Sequence, residues 1–168
     1  MKNLSKGYFL ILSIILLSFS VQAQNYNTAI GVRLGGLTSG VTIKHFVASR
    51  TALEGIVSFG QKSFLVTGLY EKHRSFDNAA GLTWLYGVGA HVGFFNYGGG
   101  YYYIKNNRAY VINEGDRRTV VGADFILGLD YKFPNVPFNV GLDMKPFVDF
   151  FDGPKGFFDG AVSLRFTF

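Results

Sequence analysis

Leu82-Thr83-Trp84-Leu85-Tyr86-Gly87-Val88-Gly89-Ala90-His91-Val92-Gly93-Phe94 sets Leu, Trp, Tyr, Val, Ala, Val and Phe at even positions and Thr, Leu, Gly, Gly, His and Gly at odd ones. Successive side chains point to opposite faces in an extended chain, so the stretch reads as a β-strand with one apolar face and one small or polar face. A helix would scatter the same apolar residues around its circumference.

The alternation recurs on both sides of that stretch. Upstream, Ile30, Val32 and Leu34 alternate with Gly31 and Arg33, and Val41, Ile43 and His45 with Thr42, Lys44 and Phe46. Leu53, Gly55, Val57 and Phe59 then oppose Ala52, Glu54, Ile56 and Ser58, and Phe64, Val66, Gly68 and Tyr70 oppose Leu65, Thr67, Leu69 and Glu71. Downstream, Val121 to Phe133 opposes Gly122 to Lys132, Phe138 to Val148 opposes Asn139 to Asp149, and Val162 to Phe168 opposes Ala161 to Thr167. Eight strands of period two make the chain all-β.

The content of the two faces selects among all-β architectures. A sandwich or a lipocalin-like barrel puts apolar residues inside and charges outside. Here the polar face mixes single charges with Gly87, Gly89, Gly93, Gly122, Gly128 and Gly141, while the other face is nearly unbroken hydrophobes and aromatics. Glycine weakens a solvent-facing strand, whereas a crowded barrel lumen needs small residues between its charged ones. The expectation is an eight-stranded antiparallel up-and-down transmembrane β-barrel, with the even-numbered face of the first strand towards lipid. A soluble periplasmic lipocalin-like binder is the rival reading.

The chain around these strands is 168 residues long, 48% hydrophobic and 16% charged, with 22 Gly, 4 Pro and no Cys. That composition supplies one domain and excludes disordered, coiled-coil and collagen-like chains, disulfide scaffolds, thiolate metal sites and thiol catalysis. Met1-Lys2-Asn3-Leu4-Ser5-Lys6, an apolar run from Tyr8 to Phe19 and a small-residue exit at Val21-Gln22-Ala23 form a secretory signal peptide over residues 1–23. Its apolar run is short for a membrane anchor. Cutting after Ala23 removes Lys2 and Lys6, lowers the formal charge from +5 to +3, and leaves residues 24–168 as the barrel domain. A charge of +3 on an exported chain argues against a nucleic-acid partner.

With both termini at one end, the connections there are Val47 to Thr51, His73 to Gly81 and Pro134 to Pro137. The opposite end carries Gly35 to Gly40, Gly60 to Lys62, the long segment Asn96 to Arg118, and Phe151 to Phe158, where Phe151-Asp152-Gly153-Pro154 reads as a turn. Short turns at one end and longer loops at the other suit a transmembrane barrel, a pattern met only in part, because Gly35 to Gly40 and Gly60 to Lys62 are short and His73 to Gly81 is long.

With its leader, eight strands and terminal Val162, Leu164, Phe166 and Phe168, the chain resembles the small eight-stranded outer-membrane β-barrel proteins of the OmpX/OmpA-like superfamily of Gram-negative bacteria. The resemblance covers Ala29 to Phe168. It implies an outer-membrane location, lipid as surroundings, and recognition of those four terminal residues by the barrel-assembly machinery. Activity is not implied, because adhesins, structural anchors and a few lipid-modifying enzymes share nearly the same barrel.

The polar face carries Arg33, Lys44, Lys132, Lys145 and Arg165 against Glu54, Glu71, Asp124, Asp130, Asp143 and Asp149, with His91 in addition. Interleaved charges in a narrow lumen pair with one another, because an unpaired buried charge is far costlier. Tight hairpins would set Arg33, Lys44 and Glu54 at one height and gather Lys132, Asp143, Lys145 and Arg165 in a second cluster. No single-sign ring suggests a pore, so the lumen is expected to be closed.

His91 and Asp124 fall side by side on this face, an arrangement that is half of a hydrolase triad. No Ser accompanies them: barrel deacylases of lipid A carry His-x-Ser, whereas the residue two beyond His91 is Gly93. His73 is followed by Ser75, but on an expected periplasmic turn. A lipid-A-modifying enzyme therefore stays the secondary reading, with no catalytic residues assigned. Neither metal nor cofactor motifs are present, since the His residues lack an i+4 partner and Gly87-Val88-Gly89 continues a strand.

Asn96 to Arg118 is the candidate functional surface. Tyr101 to Lys105 and Arg108 to Ile112 flank Asn106-Asn107 as a hairpin would, and Gly98 to Gly100 form a joint. Tyr101, Tyr102, Tyr103, Lys105, Arg108 and Tyr110 are types that bind an extracellular protein or anionic glycan, or form the outer aromatic girdle of a barrel. The chain is expected to act as a monomer without enzymatic activity.

Overall fold

The computed structural model describes residues 26–60, 63–97, 102–105, 108–111, 116–150 and 154–168. The leader, the Asn106-Asn107 turn, the Gly98 to Gly100 joint and Phe151 to Gly153 lie outside the described residues. The strands are β1 (Thr28–Gly35), β2 (Ser39–Ala48), β3 (Thr51–Gly60), β4 (Ser63–Ser75), β5 (Leu82–Tyr97), β6 (Tyr102–Lys105), β7 (Arg108–Val111), β8 (Asp116–Lys132), β9 (Phe138–Asp149) and β10 (Lys155–Thr167).

Eight of these close into one antiparallel barrel in the order β1-β2-β3-β4-β5-β8-β9-β10, with β10 returning to β1, while β6 and β7 pair only with each other. All eight expected stretches are barrel strands. Several run further than expected: β5 continues to Tyr97 and β8 starts at Asp116, so both ends of the expected loop Asn96 to Arg118 are ladder. His73 belongs to β4, where it pairs with Leu85, and β10 begins at Lys155, because Lys155 to Gly160 continue the ladder against Asp149 to Met144. The strand pair β5–β8 extends until Tyr97 meets Asp116, which raises one side of the wall.

The ladders fix the tilt. Partners followed around the wall run from Gly31 through Thr42, Ile56, Thr67, His91, Gly122 and Asp149 to Lys155. Extending the β10–β1 register, in which Gly31 meets Arg165, returns ten residues further along β1. A stagger of ten residues at about 3.3 Å each, spread over eight strands about 4.8 Å apart, tilts the strands by about 40°.

The face assignment follows the alternation throughout. Ile30, Val32 and Leu34 of β1 are about half exposed, and so are Phe125, Leu127 and Leu129 of β8 and Leu142 and Met144 of β9. Between them, Arg33, Lys44, Glu54, Glu71, Asp124 and Lys145 are buried. One sector of the lumen is apolar, where Ile56, Leu69, Leu85 and Ile126 from β3, β4, β5 and β8 form a packed cluster. Each such side chain contributes about 1.5–3 kcal/mol by leaving water.

Glycines set how closely the wall packs. Gly81 adopts φ 83° in the β4–β5 turn, a conformation that other residues rarely take. A Cβ on Gly40 would stand 2.7 Å from Ser58 Cα, whereas one on Gly68 would have nothing within 4 Å. Gly40→Ala is therefore expected to destabilise the folded barrel by more than 1 kcal/mol and Gly68→Ala to leave it unchanged or up to about 1 kcal/mol more stable, read from urea unfolding midpoints.

Candidate functional site

Among the described residues, the lumen holds three charge clusters, each assembled from strands distant in sequence. Nearest the β1–β2 turn, Arg33 Nη2 meets Asp143 Oδ1 at 2.6 Å and Nη1 meets Asp159 Oδ2 at 3.0 Å. The turn closes over this group: Arg33 Nη1 donates to the Thr38 carbonyl at 3.0 Å, Thr38 Oγ1 donates to Asp159, and Leu37 N donates to Asp159 Oδ1 at 2.9 Å.

Towards the end that carries Thr28 and Phe168, three carboxylates surround one ammonium. Lys44 Nζ lies 3.1 Å from Glu54, 2.9 Å from Glu71 and 3.1 Å from Asp130. Arg165 bridges the same set, with Nη2 at 2.7 Å from Glu54 Oε1 and Nη1 at 3.2 Å from both Asp130 Oδ1 and Asn139 Oδ1. Thr42 Oγ1 donates to Glu54, and His73 Nε2 lies 2.9 Å from Glu71 Oε2.

The third cluster centres on His91. Its Nδ1 is 2.7 Å from Asp124 Oδ2 and its Nε2 is 2.9 Å from Asp149 Oδ1. Lys145 Nζ donates to Asp124 Oδ1 at 2.8 Å and lies 4.5 Å from the centre of the Phe147 ring, which meets the His91 ring edge-on. His91 does stand beside Asp124, but a second carboxylate occupies the other ring nitrogen. A catalytic base keeps one nitrogen for the hydroxyl it activates, and in this geometry neither is left for that task.

The grouping differs from the sequence expectation in three respects. Arg33 is not level with Lys44: it pairs with Gly40, while Lys44 pairs with Ala29 and Glu54. The second expected cluster is divided, with Asp143 joining Arg33, Lys145 joining Asp124 and Arg165 joining Glu54 and Asp130. Lys132 belongs to none of them, because its Nζ donates to the Phe133 and Val136 carbonyls of the β8–β9 turn at 2.8 and 2.9 Å. Asp159 and His73 enter instead. The described clusters thus set four Lys and Arg against seven Asp and Glu, a more acidic balance than expected, with His73 and His91 both placed against carboxylates.

Asp159 was readable as the next inward position before Ala161, Ser163 and Arg165, but the Gly-Pro turn signal before it masked the start of the strand. Beyond the clusters, a vestibule of about 630 Å³ opens at the terminal end, lined by Tyr26, Arg50, His73, Lys132 and Asn139 among others.

Val162, Leu164 and Phe166 face outward on β10, and Phe166 packs edge-on to Phe138 at 5.8 Å. Phe168 follows the strand, with its backbone paired to Thr28. On the small sheet, Tyr103 pairs with Tyr110 and Lys105 with Arg108, as the hairpin reading requires, and Tyr102 lies opposite Val111. Tyr101 lies outside the described residues.

The clusters rank the lysines. Lys44→Met takes the shared ammonium from three buried carboxylates, leaving Arg165 alone to hold Glu54 and Asp130, and is expected to cost about 3–5 kcal/mol of unfolding free energy. Lys132→Met, which loses two bonds at an exposed turn, is expected to cost about 1 kcal/mol or less. Chemical denaturation of the two variants under identical conditions checks the order.

Compared with known proteins, the chain matches no family model and no curated protein, so the barrel and its lumen carry the functional argument.

Proposed function

We propose that this chain is a monomeric, non-enzymatic outer-membrane β-barrel protein of the OmpX/OmpA-like kind, exported by the leader over residues 1–23. In this reading the lumen is a structural core, and the segment 96–118 meets a protein or glycan partner outside the cell. The observation that carries the proposal is the inverted distribution of polarity: Leu34 is 66% and Phe125 54% exposed while Arg33 and Glu71 are at 0%. A lipocalin-like binder requires the reverse.

The outward belt has dimensions that fit a bilayer. From Val121 to Phe133, twelve steps of about 3.3 Å at a tilt of about 40° rise about 30 Å, close to the thickness of a hydrocarbon core. The belt is graded along that rise. Aliphatic residues such as Val32, Val88, Leu142 and Leu164 occupy its middle. Phe59, Phe64, Phe94 and Phe158 ring one end, and Trp84, Phe133, Phe138 and Phe168 the other. Aromatic rings at both levels suit the two interfaces of a membrane. Val162, Leu164, Phe166 and Phe168 would address the chain to the barrel-assembly machinery.

Paired charges of both signs in the lumen support a closed wall, and the occupied nitrogens of His91 support a non-catalytic reading. Folded protein is expected to migrate faster than boiled protein on detergent gels and to give no steady single-channel current in planar bilayers. Solubility without detergent after folding would overturn the membrane reading. Leu127→Arg is expected to cost about 2–4 kcal/mol in lipid if it lies near the midplane. Replacing 98–114 by a short Gly-Ser link is expected to preserve the gel shift and abolish cell-surface or partner binding. Loss of folding in that variant would overturn the recognition role.

A further inference from the structure

The outer wall is bulky almost everywhere on β3, β4 and β5, with one dent. Gly55, Gly68 and Ala90 are side-by-side partners on these strands and all face outward. A Cβ on Gly68 would meet nothing within 4 Å, and one on Gly55 only Ile43 Cγ2 at 3.5 Å. The result is a trough of about 640 Å³ walled by Ile43, Leu53, Tyr70 and Val88, with a surface that is almost wholly apolar.

Among the described residues, one end of this trough is charged. Continuing along the outward side of β4, Gly68 is followed by Tyr70, Lys72 and Arg74. Lys72 Nζ sits 5.2 Å above the Tyr70 ring and donates to Thr51 Oγ1 at 2.8 Å, which holds the ammonium over the trough's exit. Lys72 pairs with Tyr86 and Arg74 with Trp84, so the cations stand beside aromatic residues on the terminal side of the trough. The described outward residues of β3, β4 and β5 include no carboxylate, since Glu54 and Glu71 point into the lumen. An apolar slot with Lys72 about 13 Å and Arg74 about 20 Å along the strand from its floor matches one hydrocarbon chain ending in one anion.

We infer that this face binds an anionic phospholipid of the leaflet nearer the chain termini, its acyl chain in the Gly55–Gly68–Ala90 trough and its phosphate on Lys72 and Arg74. The inference rests on the outer-membrane reading. A zwitterionic headgroup brings its own ammonium towards the same cations, so a phosphatidylglycerol-type headgroup is favoured over a phosphatidylcholine-type one. The attraction is electrostatic and falls as salt rises.

The sole tryptophan of the chain, Trp84, is the register partner of Arg74 and reports on this site directly. Folded protein is placed in phosphatidylcholine vesicles that contain a small fraction of either brominated phosphatidylglycerol or brominated phosphatidylcholine, and quenching of Trp84 is measured. Half-maximal quenching is expected at about fivefold lower mole fraction of the anionic lipid. The preference should disappear in the Lys72→Gln, Arg74→Gln double variant and fall to about twofold in Gly68→Leu, whose side chain fills the trough and leaves the charges in place. The gel shift confirms that each variant is folded, and either one alone decides the matter.

Equal quenching by both lipids in the wild type would overturn the lipid site and leave the membrane reading standing. Absence of quenching by either lipid would overturn the membrane reading, and the site with it. Quenching by both lipids that declines as the protein-to-lipid ratio rises would overturn the site in favour of a second copy seated on the trough.

Discussion

Seven residues of β1, Ala29 to Gly35, pair with Thr167 back to Ala161 of β10, and this ladder turns a meander into a barrel. Without it, β1 and β10 would each present a row of unpaired backbone groups. With it, the sheet has no edge. Closure also decides the interior, because the ten-residue stagger that satisfies all eight ladders fixes which inward residues share a level. Arg33 reaches Asp143 and Asp159 across 110 and 126 residues of sequence only because the wall is closed.

The interior is then a problem of charge neutralisation in a confined space. Eight strands leave room for side chains and little else. The barrel meets this with an apolar sector around Ile56, Leu69, Leu85 and Ile126 and three separate ionic groups, so that almost every inward charge touches an opposite one. Glycines opposite large residues make the space: a Cβ on Gly122 would run into His91, and one on Gly141 would come within 2.8 Å of Arg165 Nη1. Lys44 is structural in this fit, since Arg165, the cation beside it, is already committed to Glu54 and Asp130.

Much of this was legible in the sequence, because period-two alternation dictates both strand and face. The assignment of Arg33, Glu54, Asp124 and Arg165 to the inside required nothing more than counting by twos, and the nearness of His91 and Asp124 followed from the pairing of neighbouring strands. What could not be read was height. The stagger is a property of the closed wall, so no local count relates Arg33 to Lys44 or divides Asp143, Lys145 and Arg165 among three groups. Strand ends were the other blind spot: Asp159 sits behind a Gly-Pro turn signal, and His73 lies where polar residues imitate a loop. The trough at Gly68 was hidden for a different reason. It arises from small residues on three strands that meet only through register.

The inward charges have a consequence before any barrel exists. On most strands of the wall, inward Gly, Ser, Thr or charged residues interrupt the outward hydrophobes, so the average hydropathy stays modest. A bilayer retains a passing chain when about twenty consecutive residues are apolar enough to settle as a helix. Split in this way, the apolar surface is invisible to that test in the extended chain and becomes continuous only on the curved wall. Under the proposed outer-membrane function, the residues that hold the finished lumen together would therefore also let an unfolded chain slip past one membrane without stopping and become greasy enough to remain in another.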